Sequence, residues 1–115
     1  MEKNFSGYLF FVMPDFRSIS SKFDHESYNA VSLIHSDQNV IIDLDWKNNG
    51  RVKPLKVVAK IIKENTYQGK VYDQGEDIEE DVFFTTFFNG PRLMISGEWI
   101  DGKGQWSMVG EFHQN

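Results

Sequence analysis

Six carboxylates crowd one short stretch of this chain, Asp73, Glu76, Asp77, Glu79, Glu80 and Asp81, with no basic residue among them. Oxygens at that density could ligate calcium, but a calcium loop needs fixed spacing and a glycine at its sharp turn, and the D-x-[DN]-x-[DN]-G pattern is absent. What remains is a solvated loop or a recognition surface for a basic protein, whose association such a field would speed. Three histidines, His25, His35 and His113, invite acid–base chemistry. They fall on different elements, and no motif links them. A histidine pair assisted by a lysine, as in ribonuclease chemistry, suits a polyanionic substrate poorly when the formal charge is −5. Asp43 and Asp45, two residues apart on one strand face, have the spacing for metal or general-base work, although carboxylates on a wet face are more often merely solvated.

No G-x-S-x-G elbow, phosphate-binding loop, H-E-x-x-H or G-x-G-x-x-G is present. Cysteine is also absent, which removes thiol nucleophiles and Cys-ligated zinc and fits a reducing compartment. No enzymatic activity, cofactor or metal is therefore expected. The basic stretch Lys47, Arg51, Lys53, Lys56, Lys60 and Lys63 reads as a solvated face guarding against edge pairing. Nucleic-acid binding would want aromatics interleaved on that face, where only Val58 and Ile62 stand.

The elements that must position these residues are strands. With 115 residues, 40% of them hydrophobic and 15% aromatic, the chain has material for one core, so residues 1–115 are expected to form a single domain. Val40, Ile42, Leu44 and Trp46 alternate with polar neighbours, as do Leu55, Val57, Ala59 and Ile61, and then Tyr67, Gly69 and Val71. Asn89-Gly90 is a strong hairpin signal, because both central residues of a type I′ turn need positive φ. It would join Val82–Phe88 to Arg92–Ile100. The turn Asp101-Gly102-Lys103-Gly104 leads into Gln105–His113 and makes Trp99 and Trp106 cross-strand neighbours, on one face with Leu93, Ile95, Met108 and Phe112. Gly97 and Gly110 on that buried face, and Gly69 elsewhere, read as curvature points.

The fold expected is all-β: an antiparallel meander of about eight strands forming a small barrel or coiled sandwich, with one short helix over Pro14–Ser27 suggested by Phe16, Ile19 and Phe23. This layout is similar to that of small lipid-carrier barrels, in which a helical lid follows the first strand. The Gly-x-Trp of lipocalins belongs in a first strand, however, whereas Gly97-Glu98-Trp99 and Gly104-Gln105-Trp106 lie near the C-terminus. No run approaches the roughly 20 apolar residues of a membrane helix, and the charged N-terminus lacks a signal-peptide core, so a cytoplasmic protein without membrane or nucleic-acid partners is expected.

The leading functional expectation is a non-enzymatic protein-binding domain, for instance an inhibitor or immunity protein that masks a basic partner such as a nuclease toxin. Its partner-binding residues would be Asp73, Glu76, Asp77, Glu79, Glu80 and Asp81, together with Phe83 and Phe87. These two phenylalanines belong to a second apolar set, with Met94, Ile100 and Val109, opposite the tryptophan face. The alternative is a carrier barrel holding a small apolar molecule, its interior lined by Trp46, Phe84, Trp99, Trp106 and Phe112. Because Phe84, Trp99, Trp106 and Phe112 all point inward, the interior is expected to be filled, and a large enclosed interior pocket, on the order of 300 Å³ or more, would favour the carrier.

Overall fold

The alternating apolar pattern closes into a ring. A computed structural model describes residues 2–14, 23–48, 50–102 and 104–115, and their side chains apart from those of 12–14, 23–31 and 47–48. The strands are β1 (Lys3–Pro14), β2 (Phe23–His35), β3 (Asn39–Asn48), β4 (Arg51–Lys63), β5 (Thr66–Asp73), β6 (Glu76–Asn89), β7 (Arg92–Asp101) and β8 (Gly104–Gln114). Each pairs antiparallel with the next in sequence, and β1 also pairs with β8, so the eight-stranded sheet is a closed up-and-down barrel. Every strand thereby gains a partner on both sides, which removes the unpaired edges that promote aggregation. Among the described residues no helix is long and apolar enough to cross a membrane.

The helix expected over Pro14–Ser27 is corrected at both ends. Pro14 closes β1, and Phe23 to Ser27 open β2 in register with Pro14 to Phe10. The remaining positions, 15–22, lie outside the described residues. Phe23 is thus part of an extended ladder and not the last turn of a helix.

The turns follow local chemistry, though not always at the expected positions. The β6–β7 loop is Gly90-Pro91, because Asn89 already pairs with Arg92. Gly90 takes φ 59°, but the proline ring cannot adopt positive φ, so the type I′ turn expected at Asn89-Gly90 is replaced by a loop with its positive φ at the first central residue only. The type I′ pattern appears instead at Gln74-Gly75, where both φ values are positive, 51° and 85°, between the paired Asp73 and Glu76.

The inward faces meet in one core that includes Leu9, Val40, Ile42, Leu44, Val57, Val82, Phe84, Leu93, Ile95, Met108 and Phe112, each 2% exposed or less. Trp99 and Trp106 are register partners, as their parity requires, with Trp99 buried and Trp106 half-buried against the core. Ile61 keeps the parity of Ala59 and pairs with the buried Tyr67, but near the end of β4 it is 39% exposed. Gly97 shows what the curvature requires: a Cβ there would sit 1.8 Å from the Phe83 carbonyl oxygen, so a side chain cannot be accommodated unless the strands separate.

Candidate functional site

Antiparallel order divides the barrel into two ends. The last residues of β1, β3, β5 and β7 gather at one end with the first residues of β2, β4, β6 and β8, and the β2–β3, β4–β5 and β6–β7 connections lie at the other. The first end holds a cavity of about 450 Å³, lined by Phe11 from β1, Leu44 and Trp46 from β3, Lys53 and Leu55 from β4, Ile78 and Glu80 from β6, and Trp99, Asp101 and Trp106 from the β7–β8 hairpin. The described residues therefore leave this end of the barrel partly unfilled. Phe84 and Phe112 pack into the solid core, whereas Trp46, Trp99 and Trp106 stand around open space.

Polar groups in this mouth are held by specific partners. The Trp99 indole N–H donates to Glu80 Oε1 at 2.7 Å, and the Trp106 indole N–H donates to Asp101 Oδ2 at 3.1 Å. Asp101 Oδ1 also accepts from the Gly104 N–H at 3.1 Å, which ties the hairpin turn to the site. Lys53 Nζ pairs with Asp73 Oδ2 at 2.8 Å and lies 5.9 Å from the Trp46 ring centroid, within cation–π range. Burial holds the Glu80 carboxyl above the usual carboxylate range; the Trp99 hydrogen bond opposes this, the nearby Asp101 charge adds to it, and Lys53 offsets part.

These charged residues were legible by a rule that the alternating pattern already supplies. Counting by twos outward from Leu55 reaches Lys53, from Val82 reaches Glu80, and from Trp99 reaches Asp101. Each stays on the inward face where the apolar set stops. Treating the acidic run as one loop concealed this. In β6 the ladder is interrupted between Asp77 and Asp81, where the β5–β6 register shifts, Glu79 adopts φ 60° and its N–H bonds Asp77 Oδ1 at 2.8 Å.

The six acids expected to act together accordingly separate. Asp73 is paired with Lys53, Asp81 with Lys70, and Glu80 turns into the barrel, leaving Glu76, Asp77 and Glu79 exposed along β6. Phe83 is half-buried, opposite Glu98. Phe87 is 56% exposed on the outer surface and pairs with Met94, itself 45% exposed. The outer face continues through Val109 and its β1 partner Phe10, with Tyr8 beyond.

At the opposite end the barrel is plugged. Tyr67 stacks on Phe84 at 5.5 Å, His35 meets the edge of Phe88 at 4.9 Å, and Phe5 lies 6.2 Å from Phe88. A hydrogen bond of 3.1 Å joins His35 Nε2 to the Tyr67 hydroxyl. Burial lowers the His35 pKa and raises that of Tyr67. Of the other histidines, His113 lies 3.8 Å from Glu111, and the His25 side chain is outside the described residues. Asp43 accepts from the Ser32 hydroxyl and lies 3.8 Å from Lys56. Among the described residues no group of three or more His, Asp or Glu could hold a metal ion.

An eight-stranded up-and-down barrel with one plugged end and one aromatic-lined mouth defines the architectural class. No protein-family model matches the chain, and no curated protein matches it. Among solved structures, the ywiB protein from Bacillus subtilis is similar over 99% of this chain and 93% of its own, with a TM-score of 0.52 and 8% sequence identity. That likeness shows a shared fold.

Proposed function

We propose that this protein is a non-enzymatic barrel that binds a small, largely apolar molecule in the mouth between the β3–β4 and β7–β8 hairpins. The observation that carries this reading is the cavity of about 450 Å³, which falls within the usual size of small-molecule sites and combines apolar walls with a few fixed polar groups. A filled interior would have favoured a protein-binding role. The chain's three tryptophans all line this cavity, so their fluorescence reports on it directly. Titration with the neutral apolar probe N-phenylnaphthylamine is expected to give saturable binding at one site with quenching of tryptophan emission. An unsaturable, linear response would overturn the reading.

A second reading, a domain that binds a protein partner, is favoured by the exposed outer set Tyr8, Phe10, Phe87, Met94 and Val109, since contiguous apolar patches mark interfaces. The exposed acids Glu76, Asp77 and Glu79 would suit a basic partner, as an inhibitor of a nuclease toxin would require. The two readings separate cleanly: substituting Phe87→Ser with Met94→Ser should abolish partner binding and leave the affinity of the mouth for the probe unchanged.

A further inference from the structure

We propose that the outer wall formed by β6, β7, β8 and β1 is a self-association surface, where a second copy of this chain packs face to face about a two-fold axis running along the strands between β7 and β8. Neither the cavity nor the exposed acids of β6 enter into this assignment. Alternation sets the composition of the wall: Leu93, Ile95, Met108 and Phe112 point into the barrel, so Met94, Ser96, Val109 and Glu111 point out. Cross-strand pairing then aligns the outer residues in rows. Phe87, Met94, Glu111 and Tyr8 form one row, and Thr85, Ser96, Val109 and Phe10 form the next. The five apolar members expose the equivalent of roughly two to three whole side chains, on the order of 500 Å². That is near the upper end for the largest apolar patch of a monomer, where interfaces are found.

The charges of this wall favour a second copy over a basic protein. In these two rows, and in the row of Asn89, Arg92, His113 and Ser6 beside them, the formal charges are those of Arg92 and Glu111, which pair with each other. A chain of formal charge −5 thus presents a wall without net charge, while Glu76, Asp77 and Glu79 lie at the opposite end of β6 from Phe87. A basic partner has no surplus anion to meet here.

The rows are self-complementary under the proposed rotation, as an isologous contact requires. The axis exchanges β7 with β8 and β6 with β1 within each row. Phe87 then faces Tyr8 of the second copy, Ser96 faces Val109, Met94 faces Glu111, and Arg92 faces His113 with Glu111 one row away. Glu98, one row beyond Ser96, meets Ser107, so no two formal charges of like sign are opposed. Because both walls are convex they diverge away from the axis, and the long side chains of Phe87, Tyr8 and Phe10 stand on the flanking strands where the gap opens. Convexity also limits the contact to about 1,000 Å² in total, at the lower end for specific interfaces, so the expected dissociation constant is roughly 10 to 100 µM.

Sedimentation equilibrium of the whole chain from about 1 µM to about 1 mM, a range that spans this constant, is expected to show a reversible monomer–dimer equilibrium. Val109→Glu and Ser96→Lys, both outward-facing, should each raise the dissociation constant about tenfold or more, because symmetry sets each introduced charge about one strand spacing from its own copy. An equimolar mixture of these two variants should associate again, since the introduced charges then face each other with opposite sign. Unchanged tryptophan emission verifies their fold, and the chain carrying Phe87→Ser with Met94→Ser should likewise be monomeric. A wild-type chain that stays monomeric to about 1 mM, that assembles beyond a dimer, or that dimerises undiminished in all of these variants would overturn the proposal. Binding of polylysine to a monomeric wild type, abolished by Ser96→Lys, would give the wall to a basic partner and overturn it also. The mouth is tested by the probe titration alone, so the cavity reading stands or falls separately.

Discussion

The two ends of this barrel are built from similar aromatic side chains and do opposite things. At the plugged end Tyr67, Phe84 and Phe88 touch one another or His35, and the His35 imidazole is bonded to the Tyr67 phenol. At the mouth, Trp46, Trp99 and Trp106 surround open volume, and the two hairpin indoles are turned so that their N–H groups hold carboxylates. The difference lies in what continues the inward parity as the core runs out. Toward the plug the inward series runs from Ile95 to Leu93 and from Phe84 through Thr86 to Phe88, whereas toward the mouth it passes from Leu55, Val82 and Trp99 to Lys53, Glu80 and Asp101. Apolar and small polar groups let Phe84, Thr86 and Leu93 bury at one end, with Phe88 beyond them 46% exposed. Charged groups, which resist dehydration, keep the other open.

This contrast is sharpest in stability. Phe84→Ala, which empties a buried site stacked on Tyr67, should cost about 3 to 5 kcal/mol, while Trp46→Ala, at a half-buried wall beside existing space, should cost about 1 kcal/mol or less. Urea denaturation of the two variants would measure both, and equal costs would mean that the mouth is as structural as the plug. A smaller effect is expected from pH. Burial holds the His35 pKa below its ordinary value, so the unfolded chain binds the proton more readily than the folded one. Stability should therefore be fully present above about pH 6.5 and be lost as pH falls through the folded value, and His35→Gln should flatten that part of a stability–pH profile. Least of all should Lys53→Ala matter to folding. Its ion pair is nearly half exposed on the lysine side, so its loss should change stability by no more than about 1 kcal/mol in the same denaturation assay.

Much of the fold was legible in the sequence because its period is two and its connections are short. Val40 to Trp46 and Leu93 to Trp99 face inward as their alternation predicts, and the Trp99–Trp106 pair follows from counting across the Asp101–Gly104 turn. Closure of the ring was less accessible. It depends on β1 meeting β8, a contact that no local pattern encodes, and on Gly7, where a Cβ would lie 1.9 Å from the Glu111 carbonyl oxygen. The mouth is half legible: alternation points its tryptophans inward, whereas Glu80 stands in an acidic run whose composition masks its parity with Val82. The β6 bulge at Glu79 lies within that run, and bulges leave only faint marks in a sequence.

Ring closure also bears on how the chain acquires its structure. Seven of the eight ladders join strands adjacent in sequence and can form as successive hairpins, each closing a short loop. The eighth, from Phe5–Gln114 to Val12–Ser107, must unite segments about a hundred residues apart, as does the nearby bond from the Asn115 N–H to the Asn4 carbonyl at 2.9 Å. Until that seam forms, the nascent sheet carries two raw edges, and the slow step of assembly and the window for misassociation coincide. Pulse-labelled hydrogen exchange during refolding should find the β1–β8 amides protected last. Early protection there would mean that the ring forms by collapse and not by zipping.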